Sequence, residues 1–449
     1  MSKIYKFYLD KAEELSTETV GKIIRAFNIQ VLPDLKFRRG YYDGSGQEIM
    51  KRVQPDATRP NNKIVKNYCA TIVDNFQGYL TGNPITYTAV DEDDTEALQQ
   101  ILKNNDVINA DAEFLRTALI YGIAYEMAYV NEKNETKFKN VNPESIIPIY
   151  SDDLDEELLY IISYSANASW RDSSETYRVN VYSDNEVFTY EAANDFNSFT
   201  LLDVENHYFQ QVPFTVFNLN SDNTSIFERV ISLQDAYNTL LSDEVNDFEA
   251  FVDAYMVLKN LEADAEDLAQ MKANRTILID GDSDVSYLTK SISDTQIENM
   301  LSNINSSIHT ISNSPDFSSE EFNQGVSSGI ALQFKLVGFN NIASNIQAQF
   351  TKSLNGRIDL INQILGLIDT DTFEVKIVFT HNLPSSLGEV VDMVNKLRGL
   401  VSDETLLAQI PFIDDVLAEL EKIEAQDNKA MDSYVMPNFH EVTDTYEEE

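Results

Sequence analysis

Apolar positions early in the chain recur at helical steps. Residues 16–28 carry a pattern that predicts a short helix. Ile64, Val65, Tyr68, Ile72, Phe76, Tyr79 and Leu80 keep a three- and four-residue rhythm, so residues 62–80 are expected to form a helix with one apolar face. Asn61 or Asn62 is its expected cap, and Gly82 followed by Pro84 its expected stop. Asp91, Glu92, Asp93 and Asp94 precede a helix expected at 95–104, since negative charge favours a helix N-terminus. Another helix is expected at 111–121. From residue 123 to 209 the period drops to two. Segments 124–130 and 136–141 flank a turn at Lys133 and Asn134, and 157–164 is rich in β-formers. Segments 177–182 and 186–190 flank Asp184 and Asn185 in the manner of a hairpin. The short connections predict a largely antiparallel sheet.

The helical period returns at 226. Residues 226–260 contain neither Gly nor Pro and predict one helix, roughly 50 Å long at 1.5 Å per residue. Val230, Leu233, Tyr237, Leu240, Leu241, Phe248, Phe251, Val252, Tyr255 and Met256 supply its apolar side. Asp235, Ser242, Asn246, Glu249 and Asp253 fall at steps of seven, four, three and four and line an acidic stripe, which Asp243 and Asp247 widen. An insert follows, with a short acidic helix at 263–271 and strands at 275–280 and 285–288. A helix at 294–311 is expected to return along the first. Residues 312–328, with Pro315, Gly325 and several Ser and Asn, read as a loop. A helix over 329–368, bent near Gly338 or Gly356, and a strand at 373–380 come next. Ser386 and Glu389 make a capping box for a helix at 387–400; Ser402 caps 403–409, and 414–425 is the last expected helix. The acidic end after 426 reads as a solvated tail. Together the elements predict an α+β fold.

Charge narrows the reading. The 449 residues, about three domains' worth, include 74 acidic and 33 basic side chains, a net charge of −41. A hydrophobic fraction of 43% is enough for a large core and excludes global disorder. The single cysteine, Cys69, excludes an internal disulfide and a Cys-cluster zinc site. Lys3, Lys6, Asp10 and Lys11 at the start lack the apolar core of a secretory signal, and no membrane span is expected. So acidic a chain lacks the basic footprint of a sequence-specific duplex binder. It suits a surface past which DNA slides without sticking, because phosphate contacts supply most non-specific affinity. It equally suits simple solubility.

Candidate chemistry is sparse. His207, His309, His381 and His440 are scattered, with no HExxH pair, and read as surface or structural residues. There is no phosphate loop and no nucleophile elbow. Asp280, Asp282 and Asp284 suggest a calcium loop, but an EF-hand needs Gly and Glu where Val285 and Ser291 stand, so a turn is expected. Lys36, Arg38 and Arg39 beside Tyr41 and Tyr42 form a basic-aromatic cluster. It would meet either a phosphate backbone or the chain's own surplus carboxylates. No catalytic, cofactor or metal site is expected, and hence no enzyme.

Several segments together carry a resemblance. Tyr41-Tyr42-Asp43-Gly44, Asn61-Asn62-Lys63-Ile64-Val65, Ile72-Val73-Asp74 and Gly78-Tyr79-Leu80-Thr81-Gly82-Asn83-Pro84-Ile85 follow one another in order. Asp235-Ala236-Tyr237-Asn238 and Ser242-Asp243 mark the long helix. Ser314-Pro315-Asp316-Phe317, Phe322, Ser328-Gly329-Ile330-Ala331-Leu332 and Lys335 complete the set. In number, order and spacing they resemble the portal, or head-to-tail connector, proteins of tailed phages of Gram-positive hosts.

The resemblance implies a ring of about twelve subunits at one capsid vertex, assembled in the host cytoplasm and kept in the virion. Double-stranded DNA passes through its centre during packaging and ejection. The implied partners are the terminase large subunit, scaffold and major capsid proteins and a head-tail adaptor; no cofactor is implied. Residues 1–225 correspond to a mixed α/β wing, 226–260 to a stem helix, 261–290 to a clip and 291–312 to the returning stem helix. Residues 313–328 correspond to a tunnel loop, 329–384 to a tunnel helix and the return to the wing, and 385–449 to a helical crown with an acidic tail. Asn313, Ser314, Ser318, Ser319, Glu320, Asn323, Gln324 and Lys335 become candidate channel residues. Asp235, Asp243, Asp247, Glu249 and Asp253 become an acidic stem stripe, facing either channel or rim. The competing reading is an acidic monomeric binding module, such as a DNA mimic.

Overall fold

The computed structural model describes residues 6–55, 59–90, 95–167, 176–252, 255–259, 266, 284–288, 294–317, 319, 322, 329–365, 374–382, 392, 394–407, 410, 413, 416, 419, 420, 422, 423 and 425. They fall into two compact units, Met1–Asn323 with Leu336–Asn382, and Gln324–Lys335 with Leu383–Glu449.

The first unit opens with β1 (Phe7–Leu9), α1 (Thr17–Gln30), α2 (Leu32–Asp43), α3 (Glu48–Lys51), α4 (Tyr68–Thr81), β2 (Thr86–Ala89), α5 (Thr95–Asn104) and α6 (Val107–Tyr121). Ser16 starts α1 by accepting the Thr19 amide at 3.2 Å. The sequence reading left α2 out. Pro33 in its first turn and a left-handed Gly44 at its end (φ 80°) delimit it, and Leu35, Arg38 and Tyr41 at three-residue steps form its buried face. The strands β3 (Ile123–Val130), β4 (Thr136–Val141), β5 (Ile146–Ser151), β6 (Leu158–Ala166), β7 (Thr176–Tyr182), β8 (Glu186–Ala193), β9 (Phe199–Asn206) and β10 (Phe214–Asn218) follow. They build a six-stranded sheet in the order β1-β5-β6-β7-β8-β9 and a three-stranded sheet in the order β10-β3-β4. Pairing is antiparallel as expected, except where β1 runs parallel to β5. The hairpin at Asp184 and Asn185 closes β7 on β8, with the Ser183 amide 2.9 Å from Glu186 O.

Then come α7 (Ile231–Val252), β11 (Tyr255–Lys259), β12 (Asp284–Leu288) and α8 (Asp294–Ser312). The single helix expected over 226–260 is therefore corrected. A 3₁₀ turn, Glu228–Val230, precedes α7, and residues 255–259 pair antiparallel with 284–288. The run Tyr255-Met256-Val257-Leu258 is apolar without a helical period, and its pairing partner lies beyond the insert. At 22 residues α7 is about 33 Å long. The helix expected to begin at 62 begins at Tyr68 instead, with Asn67 rather than Asn61 or Asn62 as its cap, accepting the Ala70 amide at 3.2 Å. Residues 60–67 run without helix or strand, for a reason given below.

The helix expected over 329–368 is two helices, α9 (Gly329–Lys335) and α10 (Val337–Leu365), separated at Leu336 rather than bent near Gly338 or Gly356. Strand β13 (Val375–Val378) pairs with β2. The core of the first unit packs Ile72, Phe76 and Leu80 of α4, Phe114, Leu115 and Leu119 of α6, and Phe350, Leu354 and Ile361 of α10, all fully buried. Phe217 stacks on Phe350 at 4.9 Å and Phe76 on Phe339 at 4.3 Å. Gly122 turns α6 into β3 at φ 83°. A Cβ there would lie 2.2 Å from Asn223 O, so only glycine fits.

The second unit contains α9 and α11 (Asp403–Leu407), and Ser402 caps α11 by accepting the Thr405 amide at 3.3 Å. The strand expected at 275–280, the box at Ser386 and Glu389 and the tail after 426 lie outside the described residues. So do almost all of the helix expected at 263–271 and most of that expected at 414–425.

Candidate functional site

Helix α7 organises its surroundings through side chains four residues apart. Gln234 Oε1 accepts the Tyr68 amide at 2.8 Å, Asn238 Oδ1 the Lys66 amide at 3.0 Å, Ser242 Oγ the Ile64 amide at 3.0 Å and Asn246 Oδ1 the Asn62 amide at 2.8 Å. A step of four in a helix rises about 6 Å, and a step of two in an extended chain about 6.6 Å, so the two periods match. Gln234 also donates to Lys66 O at 2.7 Å. Asn238 donates to Gln47 Oε1, and Gln47 donates to Tyr41 O at 3.1 Å. Gln234, Asn238, Ser242 and Gln47 are all fully buried. The amides that would have begun a helix at 62 are taken by α7, which keeps 62–67 extended.

The acidic stripe sits on this same seam. Asp235 accepts the Tyr41 hydroxyl at 2.8 and 2.9 Å, and burial raises its carboxyl above the usual range. Burial and the Asp235 bond push the Tyr41 phenol up as well. Asp243 pairs with Arg52 at 2.6 Å, and Glu249 accepts the Asn62 side-chain amide at 2.9 Å. Asp247 is half-buried, and Asp253 lies outside the described residues. Arg38, Arg39, Tyr41 and Tyr42 of the basic-aromatic cluster meet the chain's own groups, while Lys36 is exposed. Arg38, 2% exposed, donates to Tyr121 O at 2.6 Å and Asn223 O at 2.7 Å and pairs with Glu228 at 3.2 Å. Arg39 pairs with Asp43 at 2.9 Å, and the Tyr42 hydroxyl meets Asp74 at 3.2 Å.

Of the candidate channel residues, Asn313 ends α8 in the left-handed region (φ 51°). Its Oδ1 would lie 2.5 Å from a Cβ at Gly338. Ser314 is fully buried. It accepts from Asn75 at 3.0 Å, and its carbonyl lies 2.8 Å from His309 Nδ1. Ser319 Oγ donates to Asp316 O at 3.0 Å and accepts the Phe322 amide at 3.1 Å. The root of the segment is thus fastened by polar contacts, with Phe317 edge-on to Phe339 at 6.2 Å. Lys335 is the last residue of α9 and is exposed. Ser318, Glu320, Asn323 and Gln324 lie outside the described residues.

Sequence reasoning missed one buried cluster. Arg357 of α10 donates to both Glu126 oxygens at 2.6 and 2.8 Å and to Asp111 Oδ1 at 2.6 Å, and the Tyr87 hydroxyl donates to Asp111 Oδ2 at 2.7 Å. The three charged side chains are 1%, 1% and 3% exposed. Burial raises the Glu126 carboxyl, and Arg357 opposes that shift. The available signal was a charge inside each of three apolar runs, Ile123–Val130, Val107–Tyr121 and the stretch around Leu354 to Ile361. Among the described residues, no group of three or more His, Cys, Asp or Glu could hold a metal ion, and no helix is long and apolar enough to cross a membrane.

The family model for phage portal proteins of the SPP1 Gp6-like type matches residues 22–433. The portal protein of Bacillus phage SPP1 is 24% identical over 301 residues, which cover 63% of this chain and 58% of that protein. The portal protein of Clostridium phage phiCD119 is 25% identical over 407 residues, covering 83% of this chain and 87% of that one. With that match covering most of the chain and a mixed α/β architecture to accompany it, the chain belongs to the phage portal protein family, SPP1 Gp6-like.

Proposed function

We propose that this chain closes into a ring of about twelve copies at one capsid vertex and serves as the conduit for double-stranded DNA in packaging and ejection. The observation that carries the reading is the family match from residue 22 to 433. The family is structural rather than enzymatic, so the motor belongs to a separate terminase large subunit that docks on the ring. Scaffold, major capsid and head-tail adaptor proteins are the other proposed partners, and the virion vertex is the proposed location.

The proposed regions follow the observed elements. Residues 1–225 form the wing, α7 and α8 the stem pair, and the insert closed by β11 and β12 the clip. The segment after α8 is the tunnel loop, α10 the tunnel helix leading back to the wing through β13, and residues 385–449 the crown. Ring closure needs head-to-tail interfaces, with different surfaces meeting at each joint. Twelve copies at −41 carry on the order of −490, so a passing duplex meets a repelling wall and the counterion release that would fasten it is suppressed. Within the α7 stripe, Arg52 offsets Asp243 and Asp235 is half-buried against the Tyr41 hydroxyl, whereas exposed Glu249, bonded to the neutral Asn62 amide, keeps its charge.

Native mass by light scattering and negative-stain imaging test the proposal. Rings with a central hole and a mass near twelve chains are the expected result. A monomer at every concentration, with scaffold and capsid proteins co-expressed, would overturn it. Tight binding of that monomer to a basic DNA-binding protein would establish the acidic-module reading instead.

A further inference from the structure

Between residues 299 and 312, His309 is the one ionisable side chain of α8. It stands in the last turn, at the end of a helix that favours a cation, and its side chain is 13% exposed. Its two ring nitrogens face different partners. Nδ1 lies 2.8 Å from Ser314 O, and a carbonyl only accepts, so Nδ1 carries a hydrogen whether or not the ring is charged. Nε2 lies 3.8 Å from Asp316 Oδ2, within reach of an ion pair but beyond a hydrogen bond. The proton that the ring gains or loses is therefore the one on Nε2. In the neutral ring Nε2 turns a lone pair toward the carboxylate, and two acceptors face each other with no bond between them. In the charged ring the same nitrogen is a donor with a carboxylate in front of it, the arrangement of a charge-assisted bond.

The groups around the imidazole come from four other elements. The Tyr68 ring of α4 stands edge-on to it at 5.7 Å, and burial, then Tyr237 and Asp316, raise the Tyr68 phenol, so it stays uncharged while the imidazole titrates. Tyr237 of α7 stands edge-on to Tyr68 at 5.1 Å. The Lys66 ammonium lies over both tyrosine rings, at 5.0 and 5.3 Å. The 3₁₀ turn against α8 adds Glu228, which Arg38 holds, and exposed Arg229. Among the described residues, Asp316 is the carboxylate within ion-pair distance of the ring. Asp316 is also tied onward. Its carbonyl accepts the Ser319 amide at 3.1 Å and the Ser319 hydroxyl at 3.0 Å, and Ser319 Oγ accepts the Phe322 amide at 3.1 Å. Whatever grips Asp316 therefore grips the turn that leads to Phe322. We propose that His309 is a proton-dependent clasp on the root of segment 313–328: the neutral ring holds Ser314 alone, and the charged ring holds Asp316 as well. The consequence, that acid fastens the tunnel loop at its α8 end, rests on the conduit reading, whereas the clasp itself is a property of the single chain.

Hydrogen exchange of the full-length chain tests the proposal. Protection of the Ser314, Ser319 and Phe322 amides is compared at about pH 8 and about pH 5.5, the span over which imidazoles change charge, after correction for the intrinsic exchange rate. Protection is expected to rise about tenfold on acidification, the share of one partly exposed charge-assisted bond. His309→Asn places an amide donor near the position of Nδ1 and cannot take up a proton, and Asp316→Asn removes the counter-charge. In each variant the protection of these amides is expected to be the same at both pH values. Equal protection at both pH values in the unmodified chain overturns the proposal, as does a rise that survives in either variant. Light scattering on the same samples separates the two readings. A chain that shows the rise but never forms a ring loses the conduit and keeps the clasp; a ring without the rise loses the clasp alone.

Discussion

Replacing Arg357 with Met would expose an electrostatic imbalance in the core. The guanidinium meets Glu126 through two bonds of 2.6 and 2.8 Å and Asp111 through one of 2.6 Å, and all three groups are shielded from water. With the cation gone, two carboxylates stay buried without their partner. Breaking a buried pair in this way destabilises a protein by about 3–5 kcal/mol. At about 2 °C per kcal/mol for a large unit, the unfolding midpoint at pH 7.5 should fall by about 6–10 °C. Acid should relieve the loss. Burial already raises the Glu126 carboxyl above its unfolded value, so its contribution is fully present below the unfolded value and is lost as pH rises through the folded one. Removing Arg357, which pulls that value down, widens the window, so the deficit of the variant should shrink between pH 7.5 and 5.5. Changing Glu126 and Asp111 to Leu and Tyr87 to Phe along with Arg357→Met should restore most of the stability, since the charges and the orphaned hydroxyl go together. Thermal unfolding by circular dichroism of the unassembled chain reads all three. A single variant that melts with the unmodified protein at pH 7.5, or that shows the same deficit at both pH values, would refute the reasoning.

Four other substitutions or deletions have definite expected outcomes. Asn238→Ala leaves the Lys66 amide and Gln47 Oε1 without their partners and should destabilise by about 1–3 kcal/mol, with faster proteolysis between residues 59 and 67; equal cleavage rates would count against the seam. Gly122→Ala forces a Cβ against Asn223 O at φ 83° and should lower the melting temperature, whereas Gly78→Ala, inside α4 with open space around it, should raise it slightly. Shortening residues 313–328 should leave ring mass unchanged and impair DNA packaging or retention; full-length, stably held genomes in that deletion would defeat the expectation.

What the sequence disclosed was mostly local. The Ser402 cap and the turn at Asp184 and Asn185 act within a few residues, and each is found where the pattern put it. Helix α8 likewise follows from its own periodicity. The start of α4 was misplaced because the amides of 62, 64 and 66 are satisfied by residues more than 170 positions away. The end of α7 was misplaced because Tyr255 to Leu258 is a short apolar run, which suits a buried helix or a strand alike. Arg357, Glu126 and Asp111 were invisible as a group, since a charge within an apolar run becomes meaningful only when the fold brings its counterpart alongside. The acidic stripe was expected along one side of a helix reaching residue 260; the helix ends at Val252, Asp253 lies outside the described residues, and spacing gave no sign that Tyr41, Arg52 and Asn62 meet Asp235, Asp243 and Glu249.

The seam between α7 and residues 62–68 also has a mechanical meaning. Its four bonds run crosswise between two nearly parallel lines, one every two residues of chain and every four of helix. A pull along the axis of α7 stretches all four together, so they yield only as a set. A pull away from the axis opens them one at a time, starting at Asn62, where Glu249 and Asn62 are the more exposed end. Turning α7 about its own axis would carry all four acceptors away from their amides together. The helix is therefore stiff to thrust and twist but can be peeled from its Asn246 end.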